Sequence, residues 1–303
     1  MRCSWLVLLS LLLVFPAACQ AGSKSPTAAV SGERAMAHVR ALVGFGERRP
    51  GSEGHRKAQE YILGELRKLQ VEVEEVNFTA ETPRGRVAMK NIIAKIPGLP
   101  AQAGRSAETL VVGGHYDTLW REGFVGANDG GSSTALLLEL VRVLKQQGPQ
   151  RMAVWLVFFD GEEAVEEWSE RDSLYGSRWQ ARLWQQQGVL QRLRALIIVD
   201  MIGDKDLALK RESSSTPWLV DLIWKVAREK GYGKHFLDAE IPLLDDHTPF
   251  LQLGVPAVDL IDFDYGPGHR YWHTPQDTLD KVSPRSMEIV GEVVLESLNR
   301  LMQ

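Results

Sequence analysis

The 303-residue sequence is poor in cysteine, and its only two cysteines, Cys3 and Cys19, lie close to the N-terminus. If this N-terminal segment is removed on export, the mature chain contains no cysteine and can form no disulfide. An exported protein without disulfides depends on its hydrophobic core for stability. A chain of this length can bury a core of the required size.

The sequence also has no excess of positive charge, because its formal net charge is -4. Nothing in this balance indicates a nucleic-acid partner or a basic membrane-binding patch. Internal repeats and low-complexity tracts are missing beyond the N-terminal segment. The length is compatible with one α/β unit.

No apolar run near the N-terminus is long enough to cross a bilayer comfortably. The run Trp5–Phe15 follows a positive residue and precedes small residues, an order typical of a secretory signal peptide. We therefore predict a signal peptide over residues 1–21, a flexible leader over 22–32, and a secreted or periplasmic protein. Two alternatives stay open: an uncleaved anchor, or a bacterial lipoprotein whose lipid is attached to Cys19.

Apolar strands alternate with helical patterns along the rest of the chain. The predicted strands include "VEVEEVNF", "MKNIIAKIPG", "TLVVGGHYD", "MAVWLVFFD", "ALIIVDMIGD" and "VPAVDLIDFD". Helical periodicity begins at His55 and recurs in "SSTALLLELVRVLKQQG", which opens with potential Ser/Thr caps, and in "PWLVDLIWKVAREKG". Buried strands separated by helices predict a three-layer α/β/α sandwich around a central, mostly parallel mixed sheet.

Acidic residues and histidines collect where the predicted strands end. Ligands in such sheets bind beyond the carboxyl ends of the strands, so these side chains are expected to lie together. Several carboxylates in one place repel one another unless a cation lies among them, and carboxylate with imidazole suits Zn²⁺. The residues concerned are His115, Asp117, Asp129, Asp160, Glu162, Glu163, Asp200 and His273.

Each of these motifs also has an ordinary structural explanation when taken alone. Strand ends are usually polar, Asp129 could cap the next helix, and Glu162 with Glu163 could begin a helix. Their coincidence at one edge of the sheet favours a metal site. In that site Glu163 is predicted to bind the metal, and Glu162 to accept and return a proton.

The motifs "HYD", "GANDGGSS", "FFDGEEA", "VDMIGD", "DDHTPFLQLGVP" and "WHTPQDT" resemble the zinc-dependent aminopeptidase superfamily, which also contains the glutaminyl-peptide cyclotransferases. The longer segment "EEAVEEWSERDSLYGSRW" resembles the cyclotransferase branch specifically. The similarity extends from about Arg49 to the C-terminus. It implies a zinc-aminopeptidase-like fold and a single catalytic domain over residues 33–303.

The resemblance implies a role for each matching position in the metal site. It assigns Asp129, Glu163 and His273 as the ligands of one zinc ion. It assigns Glu162 as the general acid and base, and Asp200 as a hydrogen-bonded acid of the same site.

The resemblance further assigns Trp168, Asp245 and Trp272 to substrate binding, although Trp168 could instead pack a helix. The implied reaction converts the N-terminal Gln of a peptide to pyroglutamate and releases ammonia, and a monomer is expected. The main alternative is a secreted aminopeptidase in which His115 and Asp200 help to bind a second zinc. A binding module without catalysis is a third possibility.

Overall fold

The computed structural model of the chain describes Met1, residues 28–100 and residues 108–303. Apart from Met1, the predicted signal peptide lies outside these residues, as does Cys19. Within the described part of the chain, no helix is both long enough and apolar enough to cross a membrane.

The strands of the described residues are β1 (Glu72–Thr82), β2 (Gly85–Ile96), β3 (Thr109–His115), β4 (Ala153–Phe159), β5 (Leu193–Asp200), β6 (Leu209–Glu212), β7 (Phe236–Ile241) and β8 (Ala257–Ile261). Six of them form the main sheet in the order β1-β2-β4-β3-β5-β8. Strands β3, β4, β5 and β8 run parallel, whereas β2 is antiparallel to both β1 and β4. A separate parallel pair consists of β6 and β7.

Helices cover both faces of the main sheet. The described residues form α1 (Gly32–Val43), α2 (Glu53–Lys68), α3 (Gly131–Gln147), α4 (Tyr175–Gln186), α5 (Pro217–Glu229), α6 (Thr248–Leu251) and α7 (Pro284–Leu301). Alternate side chains of β3 belong to different hydrophobic cores, one on each face of the sheet. Leu110 and Val112 belong to the core that includes α1, α2, α3, α5 and α7. Val111 belongs to the core that includes α4 and α6. The predicted three-layer α/β/α fold with a mostly parallel sheet is confirmed.

The folded part of the chain begins earlier than the predicted leader boundary at residue 32. Val30 is buried in the main core, and the Ser31 backbone N–H donates to Glu139 Oε1 at 2.8 Å. The Ser31 hydroxyl also caps α1. The end of the predicted leader therefore belongs to the fold, because an apolar side chain and a helix cap secure it.

The expected Ser/Thr cap of α3 is wrong, because the N-cap is Gly130 and no side chain caps the helix. The hydroxyls of Ser133 and Thr134 instead donate to the His115 carbonyl at the end of β3. Gly130 has a φ of 69°, and a Cβ there would lie 2.6 Å from the Asp117 carbonyl. Glycine thus allows the loop before α3 to lie directly against the end of β3.

Candidate active site

The carboxyl ends of the parallel strands bring the predicted site residues together. His115 ends β3, Asp200 ends β5, and Glu162 with Glu163 follows β4 after a two-residue turn. Asp129 comes from the loop before α3. The sixth member of the group, His273, lies in the loop after β8, where its φ of 53° is in the left-handed region that costs a non-glycine residue energy.

Asp129, Glu163 and His273 form the group that best fits a metal ion. Their nearest ligand atoms all lie within 4.8 Å of one another. His273 Nε2 is 3.2 Å from Glu163 Oε2 and 3.4 Å from Asp129 Oδ2. Both Glu163 oxygens and Asp129 Oδ2 are buried and have no hydrogen-bond partner among the described residues. Buried charged oxygens without partners are costly, and one imidazole with two carboxylates is a donor set that suits Zn²⁺.

A second group shares Asp129 and adds His115 and Asp200, again with ligand atoms within 4.8 Å of one another. His115 Nε2 lies 3.1 Å from Asp200 Oδ1 and 3.2 Å from Asp129 Oδ1. In contrast to Glu163, Asp200 Oδ1 has partners here, because it also accepts the Met201 backbone N–H at 2.8 Å. The buried oxygens without hydrogen-bond partners therefore favour Asp129, Glu163 and His273 as the main metal site.

The protonation states of Asp129, Glu163 and His273 depend on one another. Burial raises the pKa of Glu163 to about 7, although the charge of His273 opposes the rise. Burial favours the neutral form of His273, but the charge of Glu163 outweighs it and raises the His273 pKa to about 10. Burial also acts to raise the pKa of Asp129, but the imidazoles of His115 and His273, 3.2 and 3.4 Å from its oxygens, hold that pKa below its usual value.

Glu162 lies beside this group without belonging to it. Its side chain is nearly buried, and its Oε2 is 4.0 Å from His115 Nδ1. Burial raises the pKa of Glu162 well above its ordinary value, although the charge of His115 opposes this shift. A carboxyl group with a raised pKa is a better proton acceptor near neutral pH.

Asp117 positions the two glutamates through their backbone, a role that no separate feature of the sequence indicates. Its Oδ1 accepts the Glu162 backbone N–H at 3.1 Å, and its Oδ2 accepts that of Glu163 at 3.3 Å. Neither glutamate lies in a helix. The two glutamates therefore do not begin a helix. Their neighbouring positions are explained by their contacts in the site.

Asp160 does not join the metal cluster, contrary to the sequence prediction that placed it there with the other strand-end acids. Its Oδ1 lies 2.7 Å from His55 Nε2, and its Oδ2 accepts the Lys90 backbone N–H at 2.6 Å. The reason is strand alternation: a residue directly after β4 points to the α2 side, and the chain must turn before Glu162 reaches the site.

Arg48 is a further residue that sequence reasoning missed. Its guanidinium is fully buried and donates to the carbonyls of Tyr116 at 2.8 Å and Gly126 at 2.9 Å. It also donates to the Asp129 carbonyl at 3.4 Å. Arg48 thus attaches the loop that carries Asp129 to the end of β3.

Replacing Arg48 by Met is expected to lower the free energy of unfolding by at least about 3 kcal/mol, because buried carbonyls lose a charged donor. Urea denaturation measures this loss. Arg49→Met is the matched control: Arg49 is partly exposed and pairs with Glu47 at 2.7 Å, so its loss is expected to cost under about 1 kcal/mol. Equal losses in the two variants would contradict the anchoring role.

The clustered site residues lie at a cleft of about 830 Å³. Its described lining includes Leu119, Leu243 and Phe263 as apolar walls. The predicted site residues that line it are Asp129, Glu162, Trp168, Asp200, Asp245, Trp272 and His273. The Trp272 ring stacks on His273, with the ring centroids 4.1 Å apart.

Trp168 lies at the rim of the cleft in an irregular loop and is 39% exposed, so it is not a helix-packing residue. Asp172 organises that loop by accepting the backbone N–H groups of Val165 at 2.9 Å and Glu166 at 2.8 Å. Elsewhere in the lining of the cleft, burial raises the pKa of Asp245 to about 7, and the charge of Asp200 adds to this shift.

Comparison with known proteins agrees with this geometry. The family model of peptidase family M28 matches residues 91–298. A glutaminyl-peptide cyclotransferase from Drosophila melanogaster is 32% identical over 255 residues, which cover 75% of this chain and 69% of the relative. The chain belongs to peptidase family M28, in its glutaminyl-peptide cyclotransferase branch.

Solved structures of family members have the same fold. An Acidobacteriales bacterium glutaminyl cyclase is 40% identical with a TM-score of 0.86, and the match covers 93% of this chain and 98% of that one. A leucine aminopeptidase precursor from Bacteroides thetaiotaomicron VPI-5482 is 26% identical with a TM-score of 0.78, covering 89% and 97%. The M28 fold is thus shared by proteins that carry both names, and the higher identity is to the cyclase.

Proposed function

We propose that this chain is a zinc-dependent glutaminyl-peptide cyclotransferase that converts the N-terminal Gln of peptides to pyroglutamate and releases ammonia. Similarity to cyclotransferases over most of the chain supports the reaction. The observation that carries the proposal for the site is the placement of Glu162: a buried carboxyl group beside the cluster of Asp129, Glu163 and His273, facing the same cleft.

The proposed zinc ligands are Asp129, Glu163 and His273, whose buried oxygens without partners fit a cation. When bound there, Zn²⁺ supplies a Lewis acid that polarises the side-chain amide carbonyl of the substrate. Glu162 accepts a proton from the α-amino nitrogen as that nitrogen bonds to the amide carbon. Glu162 then returns the proton to the departing nitrogen, so that ammonia leaves and the carbonyl group of the closed ring re-forms.

The remaining predicted residues hold the substrate in position. Trp168 and Trp272 provide aromatic surfaces on the cleft, against which the methylene groups of the Gln side chain can pack. Asp245 and Asp200 face the same space, and a carboxyl group with a raised pKa can donate a hydrogen bond to a polar substrate atom. Because the attack occurs within one residue, positioning supplies a large part of the rate enhancement.

Incubation of zinc-loaded protein with a Gln-initiated peptide is expected to yield a product lighter by one ammonia. A Leu-initiated peptide of otherwise identical sequence is expected to stay intact, because it has no side-chain amide to attack. Mass spectrometry distinguishes the two results. Release of free Leu without loss of ammonia would instead establish an aminopeptidase.

The group of His115, Asp129 and Asp200 favours that aminopeptidase as the second candidate, because it could hold a second ion. Zinc per chain in the active protein tests the choice. One tightly bound ion supports the cyclotransferase, and two required ions support the aminopeptidase.

We also propose secretion or periplasmic export and a monomeric state, with lipidation of Cys19 as the alternative form of export. We further propose a single catalytic domain that contains residues 33–303 together with Val30 and Ser31, which the structure attaches to it.

A further inference from the structure

The loops that carry Asp129 and His273 are connected through one carboxylate, that of Asp277. This side chain is fully buried. Its Oδ1 accepts the Asn128 backbone N–H at 2.9 Å, and its Oδ2 accepts the Asp129 backbone N–H at 3.0 Å, although Asp277 is 148 positions from Asp129. One side chain thus bonds the peptide units on both sides of the Asn128 α-carbon.

Asp277 is itself fixed by its own loop. The Tyr265 hydroxyl donates to Asp277 Oδ1 at 2.6 Å. The Asp277 backbone N–H donates to the Thr274 carbonyl at 3.0 Å, which closes a turn directly after His273. Three donors at 2.6 to 3.0 Å hold this fully buried side chain, so it is a rigid link rather than a loose contact.

The backbone of His273 needs such a link. Its left-handed conformation persists only if its surroundings determine it, and the turn closed by Asp277 begins one residue later. The Asn128 side chain extends the link to the end of β5, because its Oδ1 accepts the Gly203 backbone N–H at 2.7 Å. A shift of Asp277 would therefore change the separation of the Asp129 and His273 side chains.

We propose that Asp277 is a positioning residue that sets the separation between Asp129 and His273, so that the zinc site is preformed before the ion binds. This inference rests on the zinc site of the proposed function. Asp277 is not a ligand itself, because both of its oxygens are already occupied by donors. It acts on the ion through the ligands, as residues behind a metal site commonly do.

Asp172 offers a matched control in the same chain. Its carboxylate is also buried and also accepts backbone N–H groups and a tyrosine hydroxyl, that of Tyr175 at 2.7 Å. It organises the rim loop and forms no described hydrogen bond with the loops of Asp129 and His273. Asp172→Asn therefore reproduces the structural cost of losing such a carboxylate, without changing the separation of Asp129 and His273.

The experiment compares zinc affinity in the wild-type protein, Asp277→Asn and Asp172→Asn by competition with a chelator. The thermal midpoint of each protein is measured with and without zinc. Asp277→Asn places an amide group opposite a backbone N–H and is expected to weaken zinc binding about 10- to 100-fold. Its zinc-induced rise in midpoint is expected to shrink accordingly. Asp172→Asn is expected to lower the midpoint of the metal-free protein but to keep the wild-type zinc affinity.

Wild-type zinc affinity in Asp277→Asn would overturn the inference while leaving the proposed zinc site intact. An equal loss of affinity in Asp172→Asn would also overturn it, because general destabilisation would then explain both. A wild-type protein that binds no zinc would overturn the proposed site and this inference together. If Asp277→Asn does not fold, Tyr265→Phe replaces it, with a several-fold weaker affinity expected and an unchanged affinity counting against the inference.

Discussion

Replacing Glu162 by Gln is expected to lower kcat for cyclisation of a Gln-initiated peptide by a factor of about 100 or more, the usual contribution of a general base. Gln has nearly the same shape as Glu, so the cleft stays filled. However, its amide cannot accept the proton that the attacking nitrogen must lose. Steady-state kinetics with a peptide substrate measure the loss.

Two further measurements attribute that loss to proton transfer. Zinc content is expected to stay at the wild-type level, since Glu162 lies outside the group of Asp129, Glu163 and His273. Glu170→Gln serves as the matched control. Glu170 is exposed in the loop that follows Glu162 and is not among the described residues that line the cleft, so its kcat is expected to be unchanged. Full activity in Glu162→Gln would refute Glu162 as the proposed base. A wild-type protein that cyclises no Gln-initiated peptide would instead favour a binding module without catalysis.

The sequence predicts that acidic residues and histidines lie together at one edge of the sheet, because apolar runs and the residue types that follow them are local signals. Apolar runs ending in His115 and Asp200 mark the ends of β3 and β5, and parallel strands bring such ends to one edge. The assignment of Asp129, Glu163 and His273 as ligands came from the family resemblance. The structure places those three side chains together, and their zinc-binding role stays a prediction.

The residues that hold this group together were not predictable in the same way. Arg48, Asp117 and Asp277 act through backbone groups of distant segments, and no spacing rule identifies a carbonyl or N–H as their partner. Asp160 shows the converse error: it has the right residue type at a strand end, but it points away from the site and bonds His55. Side-chain direction after a strand depends on the turn that follows, which residue type alone does not specify.

Zinc affinity is expected to rise about tenfold per pH unit between about pH 7 and pH 9, and more steeply below about pH 7. The reason is that zinc binds only the neutral imidazole and the ionised carboxylate. In the metal-free protein the pKa of His273 is raised to about 10, so below that pH the ion must displace one proton from His273. The pKa of Glu163 is raised to about 7, so below that pH a second proton must leave.

Competition with a chelator, corrected for protonation of the chelator itself, measures this slope. His273→Ala removes the group that titrates near pH 10 together with one ligand, so binding should weaken and at most one proton, that of Glu163, should be displaced. The affinity of this variant is therefore expected to rise at most about tenfold per pH unit, without the steeper region of the wild-type protein, and the pKa of Glu163 rises further because the His273 charge no longer opposes burial. The change of zinc affinity with pH therefore distinguishes the loss of a ligand from the loss of a displaced proton. A single affinity value cannot make this distinction. A wild-type affinity that does not change with pH would show that the ion does not displace a proton from His273, and would place the zinc away from the Glu163–His273 pair.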